Sequence, residues 1–257
     1  MTRRAALPGG ILAVALLASS CGGGLGAGSE DGATRVTVTV SAASSLTGAF
    51  TEIATAFERQ NPGVAVRVNL GGSSALAEQI NAGAPVDVFA SASASTMATV
   101  VAAGNAVNPT TFARNSLAVV TPPANPAGIT SLSDLARPGV TVAVCAPQVP
   151  CGSAAASLLD RAGIRVTPAT LDPDVKAVLS RVTSDEVDAG IVYVTDARAA
   201  GAEAHTVEIP TSENVSTDYL IAVVEGSDQV DWARSFVDFV TGPGARATLT
   251  TAGFESP

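Results

Sequence analysis

The sequence predicts an α/β fold in which mostly parallel strands are flanked by helices. Short runs of apolar and β-branched residues, such as VTVTV at 36–40, are typical of buried strands. Between these runs lie stretches whose apolar residues recur at helical spacing, as Phe50, Ile53 and Phe57 do. Regular alternation of the two patterns, without an internal repeat, favours an α/β architecture.

The alternation continues along the chain after residue 35. Strand-like runs occupy 36–40, 64–70, 86–91, 116–122 and 140–147, and another begins at 190. Helical patterns occupy 46–57, 73–82, 95–103, 152–162 and 173–187, of which the last is long. With 257 residues, 47% of them hydrophobic, the chain can bury the cores of one large or two medium domains.

The start of the chain has the features of an export signal. Residues 1–20 combine Arg3 and Arg4 with an apolar run that is too short to span a bilayer. LASSC then resembles the bacterial lipobox, in which Cys21 becomes the lipidated first residue of the mature protein. An ordinary secretory signal with an incidental cysteine is the alternative. Either signal predicts an extracytoplasmic protein, anchored to the outer face of the membrane if lipidated, and the Gly-rich residues 21–34 predict a flexible tether.

Composition argues against several classes of function. A net charge of −9 argues against nucleic acid as a partner. The single histidine, His205, stands far from any candidate nucleophile and there is no GxSxG motif, which argues against a serine-nucleophile enzyme. Cys145 and Cys151 lack the CxxC spacing of thiol–disulfide enzymes, and no histidine cluster suits zinc or iron. We therefore predict a protein that is not an enzyme and has no cofactor.

Four junctions between a strand and the next helix stand out: AASSL, GGSSAL and QVPCGSA carry small or hydroxylated residues, and LDPDV opens the long helix. In a parallel sheet such junctions lie at the carboxyl ends of the strands, where ligands of open α/β folds bind. Each offers free N–H groups and the positive end of a helix dipole, and the first two add hydroxyls. Because no base stands beside Ser44 and Ser45, the junctions predict a pocket of neutral donors for an anion. Separate capping of each helix is the alternative.

Longer motifs resemble those of the molybdate-binding proteins of bacterial ABC importers. They are ASSLT, SSALAEQINAGAPVDVF and GIVYVTDA, in that order, and the similarity runs from about residue 36 to residue 254. The resemblance implies a two-lobed type II solute-binding fold that holds molybdate or tungstate between its lobes and delivers it to an ABC permease. We expect a monomer.

A binding protein of the same fold for sulfate, thiosulfate or phosphate is the alternative. A fully ionised oxyanion offers only acceptors and suits a pocket of donors. Phosphate keeps a proton at neutral pH and requires an acceptor, and the sequence indicates none at the four junctions.

The resemblance also implies which residues hold the oxyanion. Ser45, which precedes LT, and Ser73, the first serine of SSALA, correspond to the two residues that donate through hydroxyls. Cys151 and Val175 correspond to the two that donate through main-chain N–H groups, and Tyr193 of GIVY to the phenolic donor. These five are the expected ligand-binding residues.

Two structural expectations accompany the resemblance. In an oxidising compartment, Cys145 and Cys151 are expected to form a disulfide across a short proline-containing loop, with two free buried thiols as the alternative. The first lobe is expected to comprise 36–115 with 223–257, and the second 116–222. SLAVV and YLIAVV would then be the strands that cross between the lobes.

Overall fold

The computed structural model of the protein describes residues 35–257. The expectations for residues 1–20, for Cys21 and for residues 21–34 lie outside this part of the chain. Within it, eight α-helices flank a nine-stranded sheet. The predicted α/β class is therefore confirmed. None of the helices in this described part is long and apolar enough to cross a membrane.

The strands are β1 Val36–Ala43, β2 Val64–Gly71, β3 Val88–Ser91, β4 Ala106–Thr121, β5 Val142–Cys145, β6 Thr170–Asp172, β7 Ala189–Tyr193, β8 His205–Val207 and β9 Ser216–Val224. The helices are α1 Thr47–Gln60, α2 Ser73–Asn81, α3 Ala94–Ala102, α4 Pro150–Ala162, α5 Val175–Thr183, α6 Val194–Ala200, α7 Val230–Thr241 and α8 Pro243–Ala252. A 3-10 turn, Ser44–Leu46, joins β1 to α1.

The sheet is mixed, with the strand order β2-β1-β3-β9-β4-β7-β5-β6 and β8 paired with β4. The three outer strands at either end, β2-β1-β3 and β7-β5-β6, are parallel. The middle strands β9 and β4 are antiparallel to each other and to their other neighbours. The expectation of mostly parallel strands is thus right for both ends of the sheet and wrong for its middle, because hydrophobic patterning does not reveal strand direction.

Strand β4 carries the chain from one end of the sheet to the other. It pairs with β9 as far as Ser116, and from Leu117 it pairs with β7 and β8. The buried apolar residues divide at the same place. One cluster comes entirely from 117–209, and two others come from 38–113 and 219–254. We define the first half as 35–116 with 216–257, and the second half as 117–215.

The chain passes from the second half back to the first half earlier than residue 223, where it was expected to do so. All of β9, from Ser216 onward, pairs with β3 and with the first part of β4, so YLIAVV does not cross between the halves. The return lies in the loop before Ser216. An apolar strand looks the same in sequence whichever sheet it joins, which is why the pattern misplaced this boundary. The division into two lobes stays a prediction.

Two elements differ in length from their predictions. Strand β4 begins at Ala106, well before the predicted start at 116. The prediction missed its first part because the stretch NPTT is polar and exposed, and the register of β4 shifts along β9 there. Helix α5 covers Val175–Thr183 rather than 173–187. Asp174 caps its start with its side chain, and Asp185 turns the chain away with a positive φ of 55°.

Aromatic rings fill the core of the first half and extend toward the cleft. Phe50 packs on Phe236 at 6.3 Å and on Phe112 at 5.8 Å between ring centroids. Phe112 in turn packs on Tyr219 at 6.3 Å. Phe236 is fully buried and Trp232 packs against the same cluster, so both belong to the core.

Candidate functional site

A narrow cleft lies between the two halves, where strands of both halves end. The five residues expected to bind the ligand all line it and are all buried: Ser45, Ser73, Cys151, Val175 and Tyr193. The two serines come from the first half and the other three residues from the second. The remaining lining residues are Ala43, Ser44, Gly71, Gly72, Ala92, Val149, Pro150 and Asp174. The cleft has a volume of about 10 Å³.

The two serine hydroxyls do not cap their helices. Ser73 Oγ accepts a hydrogen bond from the Ala92 N–H at 3.1 Å, and Ser45 Oγ lies 2.8 Å from the hydroxyl of Tyr219. No side chain caps either helix start. The capping alternative is therefore wrong for both residues. Because an amide can only donate, Ser73 keeps its own proton for another acceptor.

The starts of α4 and α5 direct N–H groups to the cleft. In α4 the N–H groups of Gly152 and Ser153 both donate to the Val149 carbonyl. The N–H of Cys151, in the first turn of the helix, takes no part in this hydrogen bonding. In α5 the Asp174 carboxylate takes the N–H groups of the second and third residues, at 2.8 and 3.1 Å. The N–H of Val175 is thus free of the cap, and both amides lie at the positive end of a helix dipole.

Tyr193 ends β7 with its side chain in the cleft. Among the described residues its hydroxyl forms no hydrogen bond of good geometry, although the residue is only 1% exposed and the hydroxyls of Tyr219 and Thr217 lie nearby. Burial, with the nearby charge of Asp196, raises the pKa of this phenol, so it keeps its proton. A buried hydroxyl without a partner costs free energy, and one in a cleft with other free donors indicates a missing acceptor.

The expected disulfide between Cys145 and Cys151 is present and joins the end of β5 to the start of α4. At Gly152 a Cβ atom would collide with the Ala146 carbonyl oxygen, so the helix begins directly against the preceding turn. The alternative of two free thiols is wrong. The covalent link and the close packing together hold the Cys151 N–H in place.

One lining residue contradicts the expectation that the cleft has no acceptors. Asp174 lines it, and although its Oδ1 accepts from the N–H groups of α5, a carboxylate has further lone pairs. The sequence shows this residue in LDPDV, but as a helix cap rather than as part of a cleft. Asp174 can therefore accept a hydrogen bond from an oxyanion that keeps a proton, as phosphate does.

An ion pair between the partly exposed Lys176 and the buried Asp196 lies beside the cleft. Lys176 Nζ lies 2.8 Å from Asp196 Oδ1, at an ion-pair distance but without the alignment of a hydrogen bond. Lys176 follows Val175 on α5, and Asp196 lies on α6 just after Tyr193. The pair therefore ties together two of the segments that line the cleft. Burial raises the pKa of Asp196, and the charge of Lys176 opposes that effect.

Two other features of the described residues do not compete with this cleft as an oxyanion site. They contain no group of three or more His, Cys, Asp or Glu side chains that could hold a metal ion. A larger cavity of about 460 Å³ lies beside Leu117 and Val194, with Arg198, Glu208 and Glu255 in its wall. None of the expected ligand-binding residues lines it, and none of its lining side chains has a buried polar atom without a partner.

Two buried residues beside the cleft were missed by the sequence reasoning. Tyr219 of β9 touches Ser45 through its hydroxyl, and Asn115 of β4 lies within 3.4 Å of that hydroxyl. Neither residue stands at a junction between a strand and a helix, and the sequence pattern predicts donors only at such junctions. The only signal in the sequence is that each is a polar residue in an otherwise strand-like segment.

Comparison with known proteins gives a consistent result. A family model described as bacterial extracellular solute-binding protein matches residues 38–255. The chain is 41% identical over 253 residues to the molybdate-binding protein of Mycobacterium tuberculosis, an alignment that covers 96% of this chain and 97% of the relative.

Two solved structures share the fold. The periplasmic molybdate-binding protein of Azotobacter vinelandii has a TM-score of 0.75 at 24% identity, covering 86% of this chain and 99% of that one. The sulfate-binding protein of Mycobacterium tuberculosis has a TM-score of 0.76 at 20% identity, covering 86% of this chain and 87% of that one. At these identities the likeness concerns the fold, which does not distinguish molybdate from sulfate.

Proposed function

Because this chain belongs to the bacterial extracellular solute-binding proteins, we propose that it captures molybdate, and also tungstate, outside the cytoplasm and delivers the oxyanion to an ABC importer. It is a binding protein and not an enzyme. The observation that carries the proposal is the Tyr193 hydroxyl, which is buried and forms no hydrogen bond within residues 35–257, in the cleft that Ser45 and Ser73 also line. The relative that is 41% identical, named for molybdate, supports the choice of ligand.

Five neutral donors hold the oxyanion. Ser45, Ser73 and Tyr193 donate through their hydroxyls, and Cys151 and Val175 donate through main-chain N–H groups at helix starts. Hydrogen bonds to a charged acceptor are about twice as strong as those between neutral groups, so five of them offset the loss of hydration. None of the five is a fixed positive charge that would have to separate from the dianion when it is released to the permease.

The narrowness of the cleft determines how the ligand enters. Its volume of about 10 Å³ and the burial of the five donors leave too little room for a hydrated dianion. The two halves therefore part to admit the ligand and close around it, with the bending in β4 near Ser116 and in the loop before Ser216. Closure removes the remaining water and brings the donors of both halves onto one ion.

The remaining assignments concern the whole chain. Residues 1–20 act as the export signal, Cys21 carries the lipid, and residues 21–34 link the anchor to the folded part. The protein acts as a monomer with one oxyanion in its cleft. Mass spectrometry of the protein extracted from membranes tests the anchor, because a diacylglyceryl group on Cys21 adds a defined mass to the N-terminal peptide.

A second candidate ligand rests on Asp174. A carboxylate beside the cleft can accept a hydrogen bond from the proton that phosphate keeps at neutral pH. The same carboxylate repels molybdate, which has no proton to donate. Asp174→Asn distinguishes the two ligands, because asparagine caps a helix as well as aspartate does. The variant is expected to bind molybdate as tightly or a few times more tightly. Loss of phosphate binding in this variant would instead favour phosphate.

Isothermal titration of the purified mature protein tests the proposal. Molybdate and tungstate are expected to bind tightly, and sulfate, thiosulfate and phosphate weakly or not at all. Equal or tighter binding of any of these three would overturn the assignment of molybdate. Titrations at two salt concentrations separate binding in the buried cleft from surface attraction, because only the latter weakens strongly with salt.

A further inference from the structure

The hydroxyl of Ser45 has a buried partner that does not line the cleft. Its Oγ lies 2.8 Å from the hydroxyl of Tyr219, which is fully buried on β9. A serine has one proton, so Ser45 can donate either to Tyr219 or to a ligand, but not to both. The direction of this one hydrogen bond therefore decides whether Ser45 is a donor in the cleft.

The side chain of Asn115 determines that direction. Its Oδ1 accepts from the N–H of Ser116 at 3.1 Å, and because that amide can only donate, the carboxamide cannot be flipped. Its Nδ2 therefore faces the other way. It donates to Thr195 Oγ1 at 2.9 Å and faces the Tyr219 hydroxyl at 3.4 Å. The Tyr219 hydroxyl thus accepts a hydrogen bond from Asn115 and has its own proton available to donate to Ser45.

We propose that Tyr219 is a positioning residue for the bound oxyanion, because its hydroxyl donates to Ser45 Oγ and leaves the Ser45 proton for the ligand. The inference rests on the proposed function. Ser73 provides an internal parallel, since the Ala92 N–H fills the same acceptor position on its Oγ. In Ser73 the donor is main chain, whereas in Ser45 it is a side chain that can be changed.

The surroundings of Tyr219 suit this role. Burial raises the pKa of its phenol well above the ordinary value, so it keeps its proton at neutral pH and can donate it. Its ring is held by Phe254 at 5.2 Å and by Tyr193 at 5.8 Å between centroids. Asn115 joins Tyr219 of the first half to Thr195 of the second, near the point where β4 crosses. The ring and the amide therefore have little freedom to let the hydrogen bond reverse.

A double-mutant cycle on the mature protein tests the inference, with molybdate as the ligand in isothermal titration. Tyr219→Phe removes one neutral hydrogen bond and is expected to weaken binding about three- to tenfold. In the Ser45→Ala background the same change is expected to have no further effect, because the proton that Tyr219 directs is gone. In the Ser73→Ala background, which is the matched control, its effect is expected to persist in full.

The outcomes separate this inference from the function on which it rests. If Ser45→Ala and Ser73→Ala leave affinity unchanged, the proposed site itself is wrong. If they weaken binding but Tyr219→Phe does not, or weakens it equally in both serine backgrounds, Tyr219 has only a structural role and the inference is overturned. Should Tyr219→Phe fail to fold, a chain with 4-fluorophenylalanine at position 219 fills the same space without donating, and the same cycle applies.

Discussion

A Cβ atom at Gly72 would lie 2.5 Å from the carbonyl oxygen of Pro173, so these two residues bring the halves of the protein into direct backbone contact. Gly72 precedes α2 in the first half, and Pro173 precedes the cap of α5 in the second. Beside them Ser74 Oγ donates to the Gln148 carbonyl at 2.7 Å, again from one half to the other. The loops that carry the donors thus form one edge of the closed cleft.

Gly72→Ala is expected to prevent full closure. The added methyl group meets a backbone atom, so the halves must move apart, and overpacking of this kind costs about 1–3 kcal/mol. Molybdate affinity measured by titration should fall about five- to hundredfold. The unliganded protein can open, so its melting temperature should change little. Gly71→Ala is the control, since its Cβ would meet only the Leu76 side chain at 3.5 Å. Equal affinities for the two variants would show that this contact does not limit closure.

The Cys145–Cys151 disulfide is expected to contribute to stability more than to binding. A link across so short a loop is worth about 2 kcal/mol on the loop-entropy model, which corresponds to about 4–8 °C in melting temperature for a protein of this size. Replacing both cysteines by alanine should produce that decrease, while molybdate affinity falls less than tenfold because the main-chain N–H at 151 survives. A thiol assay on Cys21→Ser protein should find no reactive group. Two reactive thiols would contradict the disulfide in solution.

How much the sequence could predict depended on whether the signal was local. The junctions that contain Ser45, Ser73, Cys151 and Val175 were predicted because a change from strand to helix depends on a few neighbouring residues. The family resemblance then implied these four residues, which line the cleft. Tyr219 was not found, because its importance comes from the pairing of β9 with β4, which joins residues about a hundred positions apart.

The same reasoning explains two errors in the fold and one in the site. The return near Ser216 and the antiparallel middle of the sheet depend on which strands pair, and hydrophobicity does not encode the choice. The sequence pattern indicates Asp174 only as a helix cap, and it does cap α5. Its place beside the cleft follows from the packing of the segment before α5 against Gly72. Long-range packing, rather than local propensity, decided all three.

Asp196 should give the unliganded protein a distinct pH dependence. Burial raises its pKa in the folded state, so its contribution to stability is fully present below its ordinary pKa of 3.8 and is lost as pH rises through the raised value. Relative to wild type, Asp196→Asn should therefore gain melting temperature as pH rises from about 4 toward neutrality. Lys176, the opposing charge, is partly exposed and can be hydrated in the variant.

Thermal melts of both proteins from pH 4 to pH 8 measure this difference, with the exposed Asp238→Asn as control. A variant that is less stable than wild type at neutral pH, by an amount that grows with pH, would show that the ion pair with Lys176 outweighs burial.

Side-chain deletions across the cleft should separate hydroxyl donors from main-chain donors. Ser45→Ala and Ser73→Ala each remove a charge-assisted hydrogen bond worth about 1.5–3 kcal/mol, so affinity should fall about ten- to a hundredfold. Val175→Ala keeps its N–H and should bind nearly normally, although lost packing lowers its melting temperature.

Tyr193→Phe is the sharpest member of the series. Its hydroxyl has no partner within the described residues, so removing it should leave the unliganded melting temperature unchanged or raise it, since a buried donor without an acceptor costs free energy. Its affinity for molybdate should nevertheless fall as far as that of the serine variants, because the same hydroxyl is a donor once the ligand is bound. A structural tyrosine would do the reverse, losing stability while binding normally. Titration and melting of one variant thus decide whether this hydroxyl belongs to the ligand or to the fold.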